Sequence, residues 1–215
     1  MAYRLTEARQ QKDVEQREQI LQLALARVTA GGFAALTMQT LADEAGIATG
    51  SLYRYFRGKG ELAAEVFARA SQREVDALAE VLCAAGDPAE RLAQGLRQFA
   101  RRAWDSQRLA FALIAEPVDA EVDEQRLLYR EAYAELFVAL LEEGMRSGRF
   151  RPLPAPLIAA CLVGAIAESL VGPLSPPARA ARDAGHASLS LEHVSQALVQ
   201  FCLCAIGAPL PEEQP

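Results

Sequence analysis

The chain has 215 residues, 51% of them hydrophobic, enough for one large domain or for a small head on a larger body. Its formal net charge is −6, but residues 1–60 hold eight Lys/Arg against six Asp/Glu (+2), leaving fourteen against twenty-two (−8) in the rest. The polar, mixed-charge start excludes a secretory signal, and Glu168 and Ser169 interrupt the most apolar stretch, 157–174, so a soluble cytoplasmic protein with no membrane partner is expected.

Helical periodicity dominates and strand-like alternation is nearly absent, which predicts an all-α chain. A first helix is expected from about Asp13, where Gln16 completes a capping box, to Ala30 before Gly31-Gly32, with Ile20, Leu23, Ala24 and Val28 facing inward. The stretch from Thr37 to Leu62 then holds a short helix, a turn at Gly46, a second short helix from Ala48 or Thr49, and Lys59 opening a third. Two short helices joined at a glycine turn form a helix-turn-helix, which presents its second helix to a DNA major groove. On that second helix Leu52 and Phe56, four apart, mark the buried side. Gly50, Ser51 and Arg54 point away from it, and Tyr53 and Tyr55 fall on the flanks. Small residues with one arginine suit close approach to base edges, and flanking phenols suit phosphate oxygens.

A long helix from Lys59 to about Ala85, stopped by Gly86, should link head to body. Asp87-Pro88-Ala89-Glu90 reads as a capped start with proline in the first turn, and that helix should run to about Asp105. Further helices are expected over 106–115, 121–147, from Pro154 or Pro156 to about Val171, and over 189–206. The segment 172–188 reads as a loop and the Pro-rich C-terminal tail as frayed. Cys83, Cys161, Cys202 and Cys204 lack metal spacing and sit in apolar helical stretches, so buried free thiols are expected.

The head resembles the N-terminal DNA-binding domain of the tetracycline-repressor (TetR) family of transcriptional regulators. The resemblance covers residues 14–66. It rests on Thr37, Leu41-Ala42, Ala45-Gly46-Ile47, Gly50-Ser51-Leu52-Tyr53, Tyr55-Phe56, Lys59 and Leu62, with Ile20-Leu21, Ala24 and Gly32-Phe33 upstream. Ala48 departs from the family's usual serine at the cap of the recognition helix, and Gly58 from the usual serine before Lys59. The resemblance implies a three-helix head (13–62) joined by the long helix to a helical-bundle body (63–210) for ligand binding and dimerisation. It implies DNA contacts from Thr37, Gln39, Thr49, Gly50, Ser51, Tyr53, Arg54 and Tyr55. Lys59 would clamp a phosphate, since its ammonium adds to a helix N-terminal dipole.

The same resemblance implies an effector pocket among the body helices, for which Trp104, Phe111, Tyr133, Phe137 and Glu168 are the candidates. The acidic body and Glu168 point toward a neutral or cationic hydrophobic effector. Homodimerisation is expected through the last two helices, using Ile158, Leu162, Ala165, Ile166, Val194, Leu198, Phe201 and Ala205, so that two heads meet a palindromic operator. His186 and His193, the only histidines, complete no Glu-x-x-His pair, and no phosphate loop, nucleophile elbow or zinc spacing occurs. No enzyme, metal or cofactor is expected. The reading is a ligand-responsive repressor; the alternative is an all-helical ligand-sensing or scaffolding protein without specific DNA binding.

Overall fold

A computed structural model describes residues 2–208, and the side chains of residues 9–208; it is helical throughout, with no strand among the described residues. Helix α1 spans Ala2–Gly31 and therefore starts well before Asp13. That position is a helix interior rather than a cap: the Asp13 carboxylate accepts the Tyr55 hydroxyl at 3.4 Å and lies 3.8 Å from Arg54 Nη2. Gly32 then takes φ 76° and ψ −179°, a conformation open essentially to glycine alone, and turns the chain into a 3-10 turn at Phe33–Ala35.

Helix α2 (Met38–Ala45) is capped by Thr37, whose hydroxyl accepts the Thr40 N–H at 3.2 Å. Gly46 closes it at φ 67°, and Ile47 donates its N–H to Ala42 at 3.0 Å across the turn into α3 (Thr49–Leu52). Ile20, Ala24 and Val28 of α1 bury themselves against Leu41, Ala42, Leu52 and Phe56. Helix α4 (Lys59–Leu82) adds Leu62, Val66, Phe67 and Ala70 to that cluster, which also takes in Ala112 and Val122 from far along the chain. The head's apolar core thus runs on past Leu62 into the body.

The body holds α5 (Pro88–Asp105), α6 (Gln107–Ile114), α7 (Ala120–Arg146), α8 (Ala155–Leu174), α9 (Pro176–Asp183) and α10 (Leu191–Ile206). Asp87 caps α5 by accepting the N–H groups of Ala89 (2.7 Å) and Glu90 (3.2 Å), and Pro88 occupies the first turn, where its missing donor costs nothing. The preceding α4 ends at Leu82, short of Ala85, and buried Arg91 donates to the carbonyl at its end, Leu82 O at 3.0 Å, and to one just beyond it, Ala84 O at 2.6 Å. Leu92, Leu96, Phe137, Leu141, Ala159, Leu170, Leu203 and Ile206 form the second core.

The segment expected as a loop, 172–188, is largely helical: α8 continues to Leu174 and α9 follows at once. Pro176 and Pro177 start α9 instead of breaking it, and Ser175 caps it through the Ala178 N–H. The tail from residue 209, and with it the end of the expected 63–210 unit, lies outside the described residues.

The thiols also differ from expectation. Only Cys202 is buried, its pKa pushed up to about 12 by desolvation; Cys83, Cys161 and Cys204 are exposed. Ordinary packing explains Cys202, while Cys83 lies in the turn after α4 and Cys161 and Cys204 sit on outward faces that the apolar composition of their helices hid.

Across the head, Arg69 of α4 grips Glu18 of α1 with two guanidinium nitrogens and holds its carboxyl at about 2, against an ordinary 4.5. A depressed carboxylate stabilises the fold above its unfolded pKa and loses that contribution as pH falls through the folded value. Glu18→Gln should therefore flatten the fall in melting temperature between pH 4.5 and 2. The effect should be small, because the pair is solvent-facing. An unchanged acid profile in the variant would show that the pair contributes nothing.

Candidate functional site

The outer surface of the head is built on α2 and α3. Gly50 and Arg54 are exposed, Tyr53 is 54% exposed, and no atom lies within 4 Å of where a Cβ at Gly50 would stand. Ala48 precedes α3 with no side-chain cap. Thr49 does not replace the missing hydroxyl; its Oγ1 donates to Gln39 Oε1 at 2.8 Å and ties the start of α3 to α2. Gln39 in turn donates to Asp43 at 3.1 Å. Tyr55 is half-buried against the head core with its hydroxyl on Asp13, so it fixes α3 to α1 rather than standing free on a flank. Lys59 is the exposed first residue of α4, and Thr37 is engaged as a cap yet exposed at the start of α2.

In the body, α4, α5, α6, α7 and α8 enclose a cavity of about 100 Å³. Phe67, Leu78, Phe99, Leu113, Ile114, Phe137 and Ile166 make it apolar, and Ser71, Ser106 and Tyr133 place hydroxyls on its wall. Burial, and then the charge of Glu74, raises the Tyr133 pKa above the ordinary tyrosine range, so the phenol remains a donor at any physiological pH. Charge on the lining is predominantly positive: Arg102, Arg126 and Arg130 against Glu74, which Arg102 holds in a two-pronged pair at 2.7 and 2.8 Å.

Of the five pocket candidates, Tyr133 and Phe137 line this cavity, whereas Trp104, Phe111 and Glu168 do not. Trp104 lies under the Arg182 guanidinium, 4.8 Å from its ring centre, Phe111 packs from the other side of α6, and Glu168 is exposed on α8. Glu168, on which the expectation of a neutral or cationic effector leaned, faces away from the cavity, whose lining carries three arginines and one glutamate.

Sequence reading missed the link between this cavity and the head. Arg126, half-withdrawn from solvent and facing the cavity, donates to Leu113 O (3.0 Å) and Glu116 O (2.9 Å) at the end of α6 and pairs with Asp123. The Glu116 carboxylate then accepts the N–H groups of Phe33 and Ala34, both at 3.0 Å, in the turn that leads to α2. Arg108 of α6 adds a bond to Ala30 O in the last turn of α1. The Gly31-Gly32 pair signals an unusual turn, but nothing local announces its partner 83 residues on.

The C-terminal helices present a second surface. Leu162, Ile166, Val194 and Leu198, expected at a dimer interface, are buried within the subunit. Ile158 and Ala165 are half-buried, and Phe201 (61% exposed) and Ala205 face outward. The outward face of α8 carries Leu157, Ala160, Cys161 and Gly164 and that of α10 carries Ala197, Phe201 and Cys204. Helix α8 has the length and composition of a membrane-crossing helix, with a mean hydropathy of 2.0 over its most apolar window, of which only 28% is buried.

A glycine-turned pair of short helices on a helical body with an apolar cavity defines a helix-turn-helix regulator of the one-component type, in which one chain holds both reading head and sensor. Comparison with known proteins agrees. The family described as "Bacterial regulatory proteins, tetR family" matches residues 20–66, and "Tetracyclin repressor-like, C-terminal domain" matches residues 85–170. The chain belongs to the TetR family of transcriptional regulators.

Among its relatives, the HTH-type transcriptional repressor KstR2 of Mycobacterium tuberculosis is 28% identical over 140 residues, 63% of this chain and 70% of that protein. The transcriptional regulator FadR from Bacillus subtilis, solved in complex with stearoyl-CoA, superimposes with a TM-score of 0.70 at 19% identity, covering 88% of this chain and 98% of that one. The fatty acid degradation regulator FadR from Bacillus halodurans gives a TM-score of 0.68 at 21% identity, covering 86% and 97%. At these identities the two structures speak to the fold alone.

Proposed function

We propose that the protein is a cytoplasmic, non-catalytic repressor that binds a palindromic operator as a homodimer and leaves it when an amphipathic anion fills the body cavity. The single observation that carries the effector reading is an apolar chamber whose lining holds three arginines and one paired glutamate. Such a site favours an apolar body bearing an anionic group, with Ser71, Ser106 and Tyr133 as orienting hydroxyls. Fatty acyl thioesters of phosphorylated carriers belong to that class, and stearoyl-CoA, the ligand of the B. subtilis neighbour, is the probe chosen from it; so long a chain must widen the chamber of about 100 Å³ to enter.

Thr37, Gln39, Thr49, Gly50, Ser51, Tyr53, Arg54 and Lys59 form the DNA face in this reading, with Tyr55 supporting it from behind. Filling the cavity displaces Arg126 from the end of α6, and Glu116 passes that displacement to the turn before α2. Release requires only that the effector prefer the DNA-incompetent arrangement, and the coupling is then reciprocal. Stearoyl-CoA titrated into the operator complex should release DNA over the same concentration range in which it raises the melting temperature of the free protein. Stabilisation without release would rule out the coupling, and neither effect would rule out this effector class.

The homodimer uses the outward faces of α8 and α10. Charged substitutions at Ala165 or at buried Leu198 would disturb the subunit itself, so Phe201→Glu is the informative change. It should give folded monomers that have lost most operator affinity. In the wild type, iodoacetamide should label Cys83 quickly while Cys161 and Cys204 stay protected; in Phe201→Glu all three should react alike. Equal labelling of the three thiols in the wild type, with a monomer mass by light scattering, would contradict the assembly.

A further inference from the structure

On the flank of α6 turned away from the cavity, Arg182 reaches α6 from α9, Arg108 reaches from α6 to the end of α1, and both lie near enough to Arg179 to repel its charge. Arg182 of α9 lies over the Trp104 ring and donates to Pro173 O at 2.7 Å and to the Gln107 side chain. Arg108 donates to Ala30 O, at the electronegative end of α1. Among the described residues Arg179, one turn before Arg182, makes no side-chain hydrogen bond, and its Nη1 is shut off from solvent without a partner. None of the three is among the arginines that hold a carboxylate at ion-pair distance in the described residues. Of the two nearby acids, Glu116 already spends both oxygens on Phe33 and Ala34, and Asp183 stands beyond ion-pair distance of all three arginines.

A buried donor without an acceptor beside two like charges is costly unless something fills the gap. Desolvation, followed by repulsion from Arg108 and Arg182, lowers the Arg179 pKa and outweighs the opposing pull of Asp183 and Glu116. Guanidinium forks pair bidentately with carboxylate and phosphate oxygens alike, and a cluster of three suits the more highly charged phosphate.

We propose that Arg108, Arg179 and Arg182 form a phosphate-binding site beside Trp104, distinct from the cavity and independent of what fills it. Its ligand is a phosphate group, either free or on a nucleotide. Because Arg108 also holds the last turn of α1, the site sits on the joint between body and head.

Trp104 is the only tryptophan in the chain, so its fluorescence reports on this site directly. Full-length protein is titrated with inorganic pyrophosphate and, separately, with adenosine 3′,5′-bisphosphate, at ionic strength held constant with chloride. Saturable changes in Trp104 emission and a rise in melting temperature are expected. Tighter binding of the nucleotide assigns the site to a nucleotide phosphate, and tighter binding of pyrophosphate assigns it to the free anion. Arg179→Gln should weaken both by about tenfold or more. In the absence of anion it should melt at or above the wild-type temperature, since it removes an unpaired, repelled charge. Arg97→Gln, at an exposed arginine outside the cluster, should leave the response intact.

Three results would overturn the proposal. One is a response no larger than that of the chloride control, and another is a response that survives Arg179→Gln. The third is an Arg179→Gln protein that dissociates to monomers, which would give the arginine a partner-subunit carboxylate instead. None of these bears on operator release by stearoyl-CoA.

Discussion

Gly32→Ala is expected to lower both the melting temperature and the affinity for DNA. The residue sits at φ 76° and ψ −179°, where any side chain costs about 1–3 kcal/mol. Its new Cβ would also collide with the Glu116 carboxylate, which accepts the Phe33 and Ala34 N–H groups. Displacing that carboxylate leaves two donors to be resolvated, so the total loss should be roughly 3 kcal/mol. For a chain of this size that corresponds to roughly 6–12 °C. The collision and the backbone strain can be separated. Glu116→Ala alone loses the two bonds but not the turn, and adding it to Gly32→Ala should cost less than the sum of the single changes. Simple additivity would mean that Glu116 and Gly32 do not act on one another, and the proposed path from cavity to head would lose its last link.

Gly50→Glu should have the opposite profile, with little effect on stability and a large one on DNA. The position is exposed on α3 and a Cβ there meets nothing within 4 Å, so the fold has room for the side chain. Against a duplex, however, it inserts a carboxylate where the backbone must come close, beside Arg54. Loss of close approach and repulsion from phosphate together should weaken operator binding by about a hundredfold or more, with a melting temperature near that of the wild type. Gly50→Ala should be far milder. A Gly50→Glu protein that holds its operator normally would move the DNA face elsewhere.

The head was legible because its signals are local. Thr37 caps the helix it precedes, Gly46 takes the left-handed turn within which α2 ends, and Leu52 and Phe56 fall on one face by spacing alone. The same holds at Asp87-Pro88, where cap and first-turn proline adjoin. What escaped is tertiary. Asp13 and Gln16 look like a helix start in sequence, yet α1 runs through them because nothing before Asp13 breaks it. Pro176 and Pro177 read as breakers, but proline in a first turn initiates. Helix α8 is apolar on its inner and outer faces alike, so spacing could not separate Leu162, which packs inward, from Cys161, which does not. Arg126 and Glu116 carry no local mark at all; their roles exist only once α6 and α7 are laid against the head.

The most direct test of the central claim is the affinity of the full-length protein for DNA fragments it retains from its own genome, set against scrambled duplexes of the same length. At about physiological salt the retained sequence should be palindromic and bind at least about a thousandfold more tightly than the scramble. Its affinity should fall steeply as salt rises, and Lys59→Ala should reduce that salt slope by about one unit without changing the preferred sequence. Equal affinity for retained and scrambled duplexes would contradict the account and leave a helical sensor that carries a reading head without reading.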